Sequence, residues 1–287
     1  MTGALDQLAD WPVPNCAAAV VGPDGVLATA GEQATRFPLA SVTKPLTGLA
    51  ALVAVQEGAL ELDQPIGEPI GGRLLIPAEL VEQLPGATLG HLLAHASGLA
   101  PERWRRGAAV GSRRIYSNAG FELIGDLVAA ATEIPFADYL AEAVFRPLRM
   151  TSAELVGSPA RNGIGSVADL TGLLGELLSP SGLLHPAIQQ AATSVQFPGL
   201  PGVLPGYGGQ RDNAWGYGFE IRADKQPHWM SARNSPESYG HFGQSGTIFW
   251  VDPVAGLGLV ALADRPFGDW AIQAWPRLAG AVLDQFG

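Results

Sequence analysis

Residues 41–55 read SVTKPLTGLAALVAV, and along them the side chains of Leu46, Leu49, Ala50, Leu52, Val53 and Val55 cover every side of a helical projection. A helix without a polar face has to be covered all round, so this segment is expected to run through the middle of the molecule. Gln56 and Glu57 close the run far short of the roughly 20 apolar residues that a membrane span requires. Pro45 is tolerated near the head because the first four helical N–H groups have no partner within the helix. The head also carries the only charged residue of the stretch, Lys44, three positions after Ser41.

Working outward, residues 16–21 and 26–30 are apolar runs on either side of the turn tetrapeptide Gly22-Pro23-Asp24-Gly25, which reads as a hairpin of buried strands. Behind the central helix, helical patterns are expected at 89–96, 119–132, 135–144 and 167–178, stopped by Gly98 and Pro135 where those residues intervene. Sheet character returns at 216–222, 247–251 and 257–263, and an amphipathic helix near 270–286 ends the chain. No internal repeat is visible. The order predicts a mixed α and β fold, with an antiparallel sheet formed by the N- and C-terminal segments, flanked by helices, and an all-helical subdomain inserted between them. It reads as one domain over 1–287, with subdomains of about 1–58 plus 205–287 and 59–204. The cleft between the two parts is the expected ligand site.

Composition bounds the function. Of the 287 residues 47% are hydrophobic and only 15% charged, where roughly a quarter would be ordinary, so a compact globular protein is expected. The net charge of −10 opposes phosphate-backbone binding, which excludes nucleic acid as an expected partner. The lone cysteine, Cys16, permits no internal disulfide. Asp6 and Asp10 stand where an export signal carries positive charge, and Pro12 and Pro14 break the apolar stretch that follows, so a cytoplasmic location is expected. A small molecule is the expected partner, with no membrane, no metal and no cofactor implied. His91 and His95 are four residues apart, but HLLAH lacks the glutamate of a zinc-protease motif, and two packed histidines are the better reading.

Lys44 and Lys225 are the only lysines among 17 basic residues, so this chain uses arginine nearly wherever a plain positive charge suffices. A guanidinium cannot lose its proton in the first turn of a buried helix, whereas a desolvated amine can, and Lys44 is therefore a candidate base. Ser41 lies one turn earlier, within reach of that amine, and the positive end of the helix dipole favours an oxyanion there. Taken alone, Ser-x-x-Lys is equally a capping serine followed by a snorkelling lysine. Two further clusters bear on the choice. Tyr116-Ser117-Asn118 precedes a helix and offers a proton relay and a carboxamide, although it also suits a turn and a cap. His241-Phe242-Gly243 precedes the last hairpin, where a glycine allows close approach to strand backbone.

SVTK at 41–44, YSN at 116–118 and HFG at 241–243 together resemble the three active-site motifs of the serine β-lactamase and penicillin-binding-protein superfamily, and the Tyr-x-Asn pattern resembles its class C branch. LLAHASGL at 92–99, IYSNAGFELIGDLV at 115–128 and FWVDPVAGLGLVALAD at 249–264 resemble that branch's framework, so the likeness covers about residues 16–264. The resemblance implies that Ser41 is an acylated nucleophile, that Lys44 and Tyr116 share general-base and general-acid duty, and that Asn118 orients the substrate. It also implies an oxyanion hole made by the backbone N–H groups of Ser41 and Gln244, the residue after Gly243. His241 stands where β-lactamases usually carry lysine, and an uncharged imidazole weakens recognition of a substrate carboxylate.

The expected function is a serine hydrolase acting through an acyl-enzyme on small esters or amides. β-Lactamase or D-Ala-D-Ala peptidase activity, and a catalytically silent binding module, are the alternatives. Ser245 in GQSGT is set aside as a nucleophile because Thr247 takes the place of the final glycine of an elbow motif. Arg103, Arg105, Arg106, Arg113 and Arg114 form a basic run that is either a solvated loop or a guide for anionic substrates. Trp104, Trp215, Trp229 and Phe242 are candidates for an apolar acyl pocket as well as for core.

Overall fold

The computed structural model describes residues 3–287. After a 3₁₀ turn at Ala4–Asp10 the chain forms the hairpin β1 (Cys16–Gly22) and β2 (Gly25–Ala30). β3 (Arg36–Pro38) leads through a second 3₁₀ turn, Ala40–Val42, into α1 (Thr43–Gln56). α2 (Ala78–Gln83), α3 (Leu89–Leu93), α4 (Asn118–Thr132) and α5 (Phe136–Leu140) follow, and α5 runs on into a π-helical turn, Ala141–Phe145. Next come β4 (Glu154–Leu155), β5 (Gly163–Ser166), α6 (Val167–Leu178), α7 (Pro186–Ala192), and the short hairpin β6 (Gly202–Leu204) and β7 (Gly208–Gln210). β8 (Glu220–Ile221), β9 (Tyr239–Gly243), β10 (Thr247–Asp252), β11 (Leu257–Ala263) and α8 (Asp269–Phe286) complete the chain.

The main sheet has six antiparallel strands in the order β2-β1-β11-β10-β9-β8, so the two ends of the chain meet at the β1–β11 pair, where Cys16 lies opposite Ala263. Because side chains alternate across a strand, β1 feeds two cores at once. Ala17, Ala19 and Val21 face the side that holds α1, α4 and α6, whereas Ala18 and Val20 face α8 and the N-terminal 3₁₀ turn. This double burial explains why β1, β10 and β11 read as continuous apolar runs. α1 lies inside the first of these cores, with residues 43–54 all buried, as its unbroken apolar pattern requires. Truncating one of its leucines, Leu46→Ala for instance, would cost about 2–5 kcal/mol.

Several elements differ from their sequence pattern for local reasons. α3 stops at Leu93 because His95 adopts a left-handed backbone, φ 56°, and its Nδ1 accepts a hydrogen bond from the Ser117 N–H. The strand expected over 216–222 is confined to Glu220–Ile221. There Gly218, at φ 86°, lets the backbone turn against Gly48 of α1, a close approach that an extended strand would not make. Within 59–204 the helices are accompanied by β4 and β5, which pair with β3 in a small sheet of order β3-β5-β4. Among the described residues no helix is long and apolar enough to cross a membrane.

Candidate active site

Ser41 sits in the 3₁₀ turn immediately before α1, and the residue preceding it, Ala40, is held at φ 47°. β9 presses on this segment from the sheet side. A Cβ on Gly243 would lie 2.4 Å from the Leu39 carbonyl oxygen and 2.4 Å from Thr247 Oγ1, so only glycine fits. Thr247 Oγ1 donates to that same carbonyl at 2.9 Å, which ties the hairpin to the turn carrying Ser41. Gln244, one residue beyond the contact, lines the same cavity as Ser41.

Lys44, in the first turn of α1, is fully buried. Its Nζ lies 3.2 Å from Ser41 Oγ, 2.6 Å from Asn118 Oδ1 and 2.9 Å from the Ala160 carbonyl oxygen. Two of these partners are carbonyl oxygens, which can only accept, so they take two N–H bonds. The third partner is a hydroxyl, which accepts an N–H from the ammonium and can donate to the lone pair of the neutral amine, so the set accommodates both forms. The electrostatics bring the two forms close in energy near neutral pH. Burial, reinforced by the positive charge of Arg161 and opposed by Glu102 and Glu122, lowers the ammonium pKa to about 7.

Tyr116 packs its ring 4.6 Å from Lys44 Nζ, and both line or abut the Ser41 cavity. Burial pushes its phenol well above the usual tyrosine range, and the Ser41 hydroxyl offsets this only in part. Beneath it His95 packs between Tyr116, tilted at 4.7 Å, and Trp215, edge-on at 4.6 Å. Asn118 opens α4, whose cap is Ser117, with Oγ accepting from the Gly120 N–H at 3.0 Å. His241, in β9, is buried, and its Nδ1 is 2.7 Å from the Phe242 carbonyl oxygen. That oxygen can only accept, so Nδ1 carries the proton and Nε2 is left as a buried lone pair without a protein partner. Burial, together with the positive charge of Lys44, lowers the His241 pKa to about 3.

Ser41, Tyr116, Asn118, His241 and Gln244 surround one cavity of about 380 Å³, and Trp215, Phe242, Leu204 and Pro205 give it apolar walls. The six residues singled out in the three motifs, and Gln244 directly after the third, therefore converge. Of the four aromatic candidates, Trp215 and Phe242 line the cavity, Trp104 is exposed, and Trp229 is buried with its Nε1–H donating to Glu220. The basic run divides: Arg103, Arg105, Arg106 and Arg113 are exposed and line none of the cavity. Arg114 is buried and donates to the carbonyls of Ala94, Gln196, Phe197 and Asn213, stapling three segments together. Ser245 Oγ is engaged with the Pro38 carbonyl at 2.6 Å. His91 bonds Thr88 and stacks on Phe197 at 4.3 Å.

Four charged residues near the cavity have no counterpart in the sequence reading. Glu102 accepts from the Asn118 amide and pairs with Arg161 at 3.2 Å. Glu220, also on the cavity wall, is buried against Lys225, His228 and Trp229. Burial would raise its pKa, but His228 and Lys225 more than reverse this and hold it at about 2. Lys225 could have been found by the argument applied to Lys44, since it is the other lysine of a lysine-poor chain. Glu102 and Arg161 carry no such mark.

A family model described as Beta-lactamase matches residues 11–283. The chain belongs to the beta-lactamase family. A crystal structure of a beta-lactamase from Mycobacterium bovis superposes with a TM-score of 0.91 at 50% sequence identity, covering 99% of both chains. A protein from Escherichia coli O157:H7 named after D-alanyl-D-alanine carboxypeptidases is 22% identical over 84% of this chain and 71% of its own length. A beta-lactamase from Yersinia enterocolitica is 29% identical over 40% of this chain, and the match spans 33% of that relative's length. The antiparallel sheet and flanking helices are those of the beta-lactamase fold, and membership makes this chain a beta-lactamase-family serine hydrolase.

Proposed function

We propose that the protein is an esterase-type serine hydrolase that forms an acyl-enzyme on Ser41 with small, uncharged esters. The observation that carries this reading is the Lys44 environment: two carbonyl acceptors and a serine hydroxyl 3.2 Å away around a buried amine. In this reading the amine lone pair takes the Ser41 proton as Oγ bonds to the ester carbonyl carbon. The resulting oxyanion is held by the backbone N–H groups of Ser41 and Gln244, and loss of one such donor would cost on the order of 10²- to 10³-fold in rate. The C–O bond to the alcohol then breaks. Tyr116, kept protonated at neutral pH by its burial, relays the proton from Lys44 to the departing oxygen while Asn118 orients the acyl carbonyl. Water attacks the acyl-enzyme by the same proton path and releases the acid.

His241 favours esters over substrates that carry a carboxylate. With a pKa of about 3 it is neutral at pH 7, and it presents a lone pair rather than a positive charge. β-Lactam hydrolysis is the second reading, favoured by the 50% identity to the Mycobacterium bovis beta-lactamase. Intact-mass spectrometry with an activated ester or a penicillin should show an adduct on wild type and none on Ser41→Ala. A higher kcat/KM for p-nitrophenyl butyrate than for a chromogenic cephalosporin is the expected ranking, and the reverse ranking selects the second reading. A protein that takes no acyl group from a broad donor panel would be a silent binding module.

A further inference from the structure

Glu102 and Arg161 have no part in the steps above, yet both reach Lys44 through a single intermediary. Glu102 lies in the loop after α3 and Arg161 in the loop between β4 and β5, so their 3.2 Å ion pair joins two separate segments beside the cavity. A Glu102 carboxylate oxygen accepts from Asn118 Nδ2–H. A carboxylate can only accept, so it turns the amide nitrogen toward itself and the amide oxygen toward Lys44 Nζ, 2.6 Å away. The opposite orientation of the amide would set its N–H groups against the amine. Arg161 directly follows Ala160, whose carbonyl takes the second Nζ hydrogen.

We propose that Glu102 and Arg161 are positioning residues of opposite sign for Lys44, the carboxylate drawing a proton onto the amine and the guanidinium driving it off. The proposal rests on the reading of Lys44 as the base for Ser41. The remaining groups facing the amine are Ser41 before α1, Tyr116 ahead of α4, Phe121 and Glu122 on α4, His95 after α3, and His241 on β9. Both histidines are buried with lowered pKa values and carry no charge at neutral pH. Glu122, bonded by Ser158, acts in the same sense as Glu102. Arg161 is the cation that bears on the amine from this side, and it lowers the Lys44 pKa where Glu102 raises it. The side chains of Arg161 and Glu102 are 49% and 54% exposed, so their fields are screened by water and salt and act as a trim on the larger effect of burial.

The chain has two lysines, so protein labelled with 13C at the lysine Cε gives two resonances, and Lys225 serves as an internal control. Glu102→Gln should move the Lys44 titration midpoint down by about half a pH unit, and Arg161→Gln should move it up by a similar amount. Both shifts should shrink at about 1 M salt, where the Debye length is near 3 Å, while the Lys225 signal stays in place. Arg161→Lys, which keeps the charge, should hold the wild-type midpoint. Merely loosening the loops would hydrate Lys44 and raise its midpoint in both variants, so shifts of the same sign, or none, overturn the proposal. If Arg161→Gln does not fold, the downward shift in Glu102→Gln alone decides. Opposite shifts without ester turnover would retain the electrostatic pair and discard the esterase reading, and turnover with immobile midpoints would do the reverse.

Discussion

Lys44 and Lys225 are buried to nearly the same degree, 0% and 2% exposed, and both donate to backbone carbonyls, yet the charge of their remaining partners differs. Lys225 places its three N–H bonds on Ala214 O, Ile221 O and the carboxylate of Glu220. All its donors are spent on acceptors, one of them anionic, which suits an ammonium. Lys44 faces two carbonyls and a hydroxyl, and among the described residues no carboxylate is in contact to hold its proton. Burial lowers both pKa values, that of Lys44 to about 7, and the Glu220 carboxylate in contact with Lys225 opposes the lowering there. With burial equal, the charge of the contacting partner is what distinguishes the two sites. Lys225 in turn holds the segment that carries Trp215, with Nζ 5.9 Å from its ring, on the cavity wall.

The comparison breaks first on activity. Lys44→Met should lower kcat/KM for an ester about 10³- to 10⁴-fold while the melting temperature holds or rises, because a desolvated amine is replaced by an apolar chain. A loss of less than tenfold would remove Lys44 from the chemistry. The stability counterpart is Lys225→Met, which leaves the buried Glu220 carboxylate with His228 and Trp229 but without its lysine and should cost about 3–5 kcal/mol in urea denaturation. Adding Glu220→Gln to that variant should recover much of the loss, since the buried charge goes with it. A harmless Lys225→Met would mean that the two lysines are not opposites.

The pH dependence sharpens the contrast with a smaller effect. Ester turnover needs the free amine, so log kcat/KM should climb as pH rises toward about 7 and level off above it. Stability follows the same titration. Between about 7 and 10.5 the unfolded chain keeps a proton on Lys44 that the folded protein has shed, so stability attributable to this group rises with pH across that window and is lowest below it. The slope is at most about 1.4 kcal/mol per pH unit, and comparing wild type with Lys44→Met by urea titration at two pH values isolates it. A wild-type slope equal to that of the variant would show that Lys44 stays charged.

Much of the fold was legible because its signals are local or periodic. The unbroken apolar run after Lys44 demanded a covered helix, the 167–178 pattern coincides with α6, and of the paired runs β1, β10 and β11 became the centre of the sheet, whereas β2, expected to be buried like its partner, is the exposed edge strand because no described strand pairs with its outer side. What escaped depends on contacts between distant segments. Arg114 looked like its exposed neighbours until four carbonyls from three loops closed around it. The early end of α3 follows from a hydrogen bond between His95 and Ser117, which a propensity argument does not contain.

The sequence alone set out which chemical groups are available and in what order: a serine one turn before a lysine, a tyrosine with a carboxamide, and a histidine before a glycine. Their spacing along a helix or strand is dictated by backbone geometry, so residue types and local periodicity suffice to read it. The protonation and orientation of those groups were decided by the tertiary structure. The Phe242 carbonyl selects the His241 tautomer, Glu102 turns the Asn118 amide, and burial without a contacting carboxylate lowers the Lys44 pKa. Proton affinity depends on solvent exclusion and on charges a few ångströms away, and those neighbours come from residues far apart in the chain.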